Sequence, residues 1–179
     1  ADIPSFIIDE KIYEGTRSSI YRGTLTQDNK SVIIKTHSSE YPTANEIERL
    51  RREFEIGQQI ADSNTIQYIS LENRDHGFAI IEEGFHAEVL AQSIPENGFE
   101  LVEFLKMAIQ LAEGLSSIHE KNIIHKDINP HNILINIESG KVKYIDFSRA
   151  SFLEQEIQQS IGTEVPQGLL AYISPEQSG

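Results

Sequence analysis

The stretch HKDINPHNILINIESGKVKYIDF, from His125 to Phe147, places two carboxylates and an amide where they could do phosphate chemistry. Asp127 and Asn132 lie five apart on one short segment. Two apolar runs, Ile133 to Asn136 and Val142 to Ile145, read as a hairpin that returns Asp146 beside them. Hard oxygen donors of this kind suit a magnesium ion and the phosphates of a nucleotide. Asp127, Asn132 and Asp146 are therefore the first candidates for a phosphoryl-transfer site.

Such a site needs elements to hold it. Ile7 to Tyr13, Ser19 to Thr26 and Ser31 to Thr36 are β-rich runs separated by turn residues at Glu14-Gly15 and Gln27-Asp28-Asn29-Lys30. Ile47, Leu50, Phe54, Gly57 and Ala61 recur at helical spacing and predict a helix from about Ala44 to Ala61. Ile66 to Leu71 and Gly77 to Ile81 add two strands around a turn at Asn73 to His76, which completes a five-stranded antiparallel sheet with one helix. Leu101, Phe104, Leu105, Ala108, Leu111, Ala112, Leu115 and Ile118 then mark a long amphipathic helix over Phe99 to Glu120. The expected organisation is α+β, with residues 1–84 as one lobe, residues 85–179 as a mainly helical second lobe, and Gly84 at the boundary.

Composition narrows the partners. Fifteen basic against 28 acidic residues give a formal charge of −13, which argues against a large contact with nucleic acid or an anionic membrane. No run approaches the roughly 18 apolar residues that read as a membrane span. The opening residues ADIPSFIIDE lack the basic start of a secretory signal, so a soluble, cytoplasmic protein is expected. The absence of cysteine excludes disulfides and thiolate metal sites. The chain begins without methionine and reads as a segment of a longer polypeptide.

Taken in order, the motifs resemble the protein-kinase fold across nearly the whole chain. That family carries His-Arg-Asp, an Asn five residues after the Asp, Asp-Phe-Gly and Ala-Pro-Glu. Here they read His125-Lys126-Asp127, Asn132, Asp146-Phe147-Ser148 and Ser174-Pro175-Glu176. Val32-Ile33-Ile34-Lys35 is similar to the family's Val-Ala-Ile-Lys strand. The wording HKDINPHN with YISPEQ looks most like the kinase domain at the head of bacterial multidomain sensor histidine kinases, which implies covalently linked downstream signalling domains.

The resemblance implies ATP and Mg2+ as cofactors and transfer of the γ-phosphate to a Ser/Thr hydroxyl of a protein substrate. Asp127 would orient that hydroxyl and accept its proton, and Asn132 and Asp146 would hold the metal. Lys35 would face the α- and β-phosphates, paired with Glu53; Glu55 is the poorer partner because two residues on a helix turn it by about 200°. Adenine would lie between the lobes against Ile20, Ile33 and Leu134, with backbone groups of Glu82 and Gly84 at its edge. His125 would brace the loop. Gly15 and Ser18 fall in the phosphate-covering loop, where Tyr13 and Ser18 replace two of the family's three glycines.

Departures from the pattern bear on activity. Asn129 stands where Ser/Thr kinases place a lysine that contacts the transferred phosphate, and Leu169 stands where they place the threonine bonding that lysine. Losing such a contact costs on the order of 3 kcal/mol, about a hundredfold in rate. Ser148 replaces the glycine of Asp-Phe-Gly, Ile33 a small alanine, and Lys126 an arginine. Ser160 and Thr163 are candidate phosphorylation sites, and solvated loop residues otherwise. Without the helices that follow in the family, the fragment is expected to expose an apolar floor, to be poorly soluble or marginally stable, and to be weakly active or inactive alone. Two alternatives stand beside the kinase: a pseudokinase that binds nucleotide or serves as a scaffold, and a small-molecule phosphotransferase of the aminoglycoside or choline type. AYISPEQSG favours the protein-kinase branch over the latter.

Overall fold

A computed structural model describes residues 6–155, and the chain divides into two compact units. The first comprises the residues up to Gln58 together with Ile66–Phe85; the second comprises Gln59–Thr65 and the residues from His86 onward. Leu169, Ser160, Thr163 and the Ser174-Pro175-Glu176 motif lie outside the described residues.

In the first unit, β1 (Phe6–Glu14), β2 (Ser18–Leu25), β3 (Ser31–His37), β4 (Tyr68–Arg74) and β5 (Gly77–Glu83) form an antiparallel sheet in the order β1-β2-β3-β5-β4. Strand alternation sorts its side chains. Val32, Ile34, Ala79 and Ile81 are wholly buried and pack with Phe6 on one face. Ile33 and Lys35 point to the other, and the register sets Ile20 opposite Lys35 and Glu82 opposite Ile33, so all four share that face.

Helix α1 (Ala44–Gly57) opens on a capping box: the Thr43 hydroxyl accepts from the Glu46 N–H, and the Glu46 carboxylate accepts from the Thr43 N–H at 2.7 Å. It stops at Gly57, short of the predicted Ala61. Residues 59–65 belong to the second unit instead, where the Tyr144 N–H donates to Asn64 O at 2.8 Å and Thr65 bridges Tyr144. That commitment also delays the next strand from the predicted Ile66 to Tyr68. At Gly57 a Cβ would lie 2.5 Å from the Tyr68 ring, so only glycine admits the tyrosine there.

The second unit contains β6 (Glu88–Val89), α2 (Leu90–Ser93), α3 (Leu101–Glu120), β7 (Ile123–Ile124), β8 (Ile133–Asn136), β9 (Lys141–Tyr144) and β10 (Ser151–Phe152). Its strands form a β6-β8-β9 sheet and a β10-β7 pair. α3 turns Met107, Gly114 and Ile118 inward, and its Gln110 ties down the hairpin, donating to Gly140 O at 2.8 Å and accepting from the Val142 N–H at 3.2 Å. The predicted helix is present over Leu101–Glu120, and at the start of its stripe Leu101, Phe104 and Leu105 are exposed, as are Val102 and Ile109. The helix carries apolar residues on more than one side, and contact with β9 selects the side that begins at Met107. Among the described residues no helix is long and apolar enough to cross a membrane.

Candidate active site

The hairpin of β8 and β9 pairs Ile133 with Tyr144, and the Ile145 N–H donates to Asn132 O at 3.0 Å. This single backbone bond sets Asp146 one residue from Asn132's partner. On the other side, the Asn132 amide donates to both Asp127 O and Asp127 Oδ2 at 2.9 Å. Asp127, Asn132 and Asp146 are thus linked within the second unit, through a turn of 3-10 helix at Pro130–Asn132.

Asn129 is buried and fully used. Its amide nitrogen donates to Asp127 O at 3.1 Å and to Asp127 Oδ1 at 3.2 Å, while its oxygen accepts from the His131 N–H at 2.9 Å. Both carboxylate oxygens of Asp127 therefore receive amide donors, a preorganisation that fixes which way the group faces. Arg149 Nε stands 3.6 Å from Asp127 Oδ2, an ion-pair distance too long for a hydrogen bond.

Two residues here adopt the left-handed region that side chains disfavour: Lys126 at φ 66° and Asp146 at φ 62°. Each flanks or belongs to the candidate cluster, where such strain is commonly concentrated. The Ser148 N–H donates to Asp146 Oδ1 at 3.1 Å, which orients that carboxylate without needing a glycine at 148. His125 lies beneath the loop, 1% exposed, with its ring 4.9 Å from that of Phe147. Because the Asp127 N–H donates to His125 Nδ1 at 3.4 Å, Nε2 carries the ring proton and donates to Ile145 O at 3.2 Å. Burial pushes the His125 pKa down, which favours that neutral form.

In the first unit, Lys35 Nζ donates to Glu53 Oε1 at 2.7 Å, and both side chains are buried. The Tyr68 hydroxyl donates to the same Glu53 oxygen at 3.0 Å. Glu55 is exposed. Ile20 and Ile33 are half-buried on the Lys35 face, and Glu82 is buried. Gly84 donates its N–H to Ser31 O at 3.1 Å, so what it offers a ligand is its carbonyl. Gly15 closes the β1–β2 turn, donating to Ser18 O at 2.9 Å and accepting from the Ser38 hydroxyl at 2.5 Å. Leu134 is half-buried on β8 in the second unit.

Sequence reasoning passed over Tyr68 and Arg149. Tyr68 gave no signal, since an aromatic residue is ordinary in a strand. Arg149 gave one: a cation directly after Asp146-Phe147-Ser148.

A protein-kinase-domain family model matches residues 6–177. This chain belongs to the protein kinase family. Among its relatives are a probable serine/threonine-protein kinase of Clostridium acetobutylicum, 28% identical over 96% of this chain and 26% of that protein, and PrkC, a serine/threonine-protein kinase of Bacillus subtilis, 30% identical over 84% of this chain and 23% of that protein. A probable serine/threonine-protein kinase of Bifidobacterium longum is 29% identical over 94% of this chain and 23% of its own length. The kinase chain thus spans about a quarter of the length of each of these three relatives.

Kinases generally use magnesium with ATP, and the donor set here fits that ion. No group of three or more His, Cys, Asp or Glu side chains forms a metal cage among the described residues. Magnesium needs none, since it is held by one or two protein oxygens, water and substrate phosphates. With both bonds of the Asn132 amide nitrogen directed at Asp127, its carbonyl oxygen and the Asp146 carboxylate are the groups suited to it.

Proposed function

We propose that this chain is the catalytic part of an ATP-dependent Ser/Thr protein kinase, working in the cytoplasm as one segment of a larger signalling protein. Bound magnesium would offset charge on the nucleotide phosphates, with Asn132 and Asp146 as its protein ligands. Asp127 accepts the proton of the incoming hydroxyl; Asn129 and Asn132 hold its two oxygens in place for that role. Lys35, fixed by Glu53, binds the α- and β-phosphates. Within the first unit, Ile20 and Ile33 would contact the adenine, backbone groups of Glu82 and Gly84 its polar edge, and the Gly15–Ser18 turn the phosphates; within the second, Leu134 is the residue proposed for adenine contact.

The linkage of Asp127, Asn132 and Asp146 through one hairpin carries this reading. Its test is incorporation of labelled phosphate into a protein substrate by the full-length protein, compared with Asp127→Ala and Asp146→Ala. Incorporation that vanishes in both variants is the expected result; equal incorporation by all three would overturn it. The neutral Asn129 favours a second reading, a pseudokinase, for which nucleotide binding without transfer by the wild-type protein would be decisive.

A further inference from the structure

We propose that Arg149 supplies the cation that contacts the transferred phosphate, in place of any cation from position 129. The inference rests on the kinase reading. It starts from a charge problem: an anionic phosphoryl group must pass beside the Asp127 carboxylate, and two negative groups in contact repel unless a cation lies with them. Asn129 cannot serve, because it is neutral and its amide is committed at both ends to Asp127 and His131.

Arg149 has the position and the spare capacity. Its Nε is 3.6 Å from Asp127 Oδ2, and its Nη1 is buried with no hydrogen-bond partner among the described residues. A buried guanidinium donor without an acceptor is costly to leave unmade, and a phosphate oxygen is the acceptor a guanidinium fork matches best. The side chain as a whole is 32% exposed, so part of it reaches solvent. Its place in the chain fits as well: Ser151 pairs with Ile124 in the β10-β7 ladder, and the Ala150 N–H donates to Phe147 O at 3.0 Å, which anchors the backbone on either side of the arginine.

In the step itself, the substrate hydroxyl oxygen bonds to the γ-phosphorus as the bond from that phosphorus to the β–γ bridging oxygen breaks. The hydroxyl proton passes to Asp127, and ADP leaves with the bridging-oxygen electron pair. Arg149 donates to the equatorial oxygens of the group in transit, and its charge remains unchanged throughout.

The test measures kcat and the KM for ATP of the full-length protein, its Arg149→Gln variant, and the double variant Arg149→Gln with Asn129→Lys. Arg149→Gln should lower kcat about a hundredfold with the KM for ATP changed by less than about threefold, as befits a contact made chiefly in the transition state. Asn129→Lys should then restore at least about tenfold of that loss by returning a cation to the same carboxylate. Wild-type kcat in Arg149→Gln would overturn the proposal, as would a gain in activity or a loss confined to KM. A loss accompanied by a lower melting temperature and no rescue by Asn129→Lys would assign Arg149 a bracing role instead, and equally overturn it. Failure of the kinase reading looks different: the wild-type protein itself would transfer no phosphate, and this inference would fall with it.

Discussion

The two units hold their charged residues in opposite ways. In the first, Lys35 and Glu53 are buried, bonded at 2.7 Å and shared with one tyrosine hydroxyl. In the second, Asp127 is partly exposed, receives amides on both oxygens, and meets its cation only at 3.6 Å. A buried ion pair contributes little net stability over an apolar pair, yet removing one partner is expensive because the other stays uncompensated. A partly exposed carboxylate held by neutral amides is the arrangement that the proton-accepting role proposed for Asp127 requires. The first arrangement is a fixed support; the second suits the role proposed for Asp127.

The sharpest way to break this contrast is at Glu53. Glu53→Ala should cost roughly 3–5 kcal/mol of stability, since buried Lys35 loses the carboxylate bonded to it at 2.7 Å, and Lys35→Met combined with Glu53→Leu should recover most of it. Urea unfolding of the two variants reads both effects, and a small loss in the single variant would erase the distinction between the units. At Asp127 the balance should reverse. Asp127→Asn should lower phosphate transfer by about 10²–10⁴-fold while costing only about 1–2 kcal/mol of stability, because an amide oxygen can still accept one of the two donors. Kinetics and unfolding on the same preparation decide it; a larger stability loss than at Glu53 would count against the comparison.

A smaller effect sharpens it. Tyr68→Phe removes the hydroxyl that donates to Glu53 at 3.0 Å and should cost about 1 kcal/mol, read as a fall in melting temperature. The last is a pH effect on the second unit. His125 titrates below the ordinary value of 6.5 when folded, because burial disfavours its charge. The unfolded chain therefore takes up the proton first, so stability is full above about pH 6.5 and falls as pH drops toward the lower folded value. His37, on β3, is shifted in the same direction by burial. His125→Gln should flatten the melting temperature between pH 7 and pH 5, leaving a residual slope from His37; an unchanged slope would remove His125 from the account.

Much of the architecture was legible because its cause is local. β-rich runs separated by turn residues predict the strands, and the helical spacing of Ile47, Leu50 and Phe54 sets the start of a helix at Ala44. Helical rotation separates Glu53 from Glu55, and one is buried while the other is exposed. The long helix was harder. Apolar residues surround much of α3, so periodicity nominated Leu101, Phe104 and Leu105, whereas packing took Met107, Gly114 and Ile118. The end of α1 was misplaced for a related reason: residues 59–65 pair with a strand almost eighty residues later, and no local pattern announces that.

Residue type, motif order and strand or helix period were determined by the sequence alone, because each depends on neighbours a few positions away. Only the tertiary structure decided which donor reaches which oxygen: that Tyr68 joins Lys35 on Glu53, that Asn129 is spent on Asp127, and that Arg149 approaches the same carboxylate. Distances of a few tenths of an ångström separate a hydrogen bond from a mere approach. Those distances are set by how distant segments pack, and a linear pattern does not carry them.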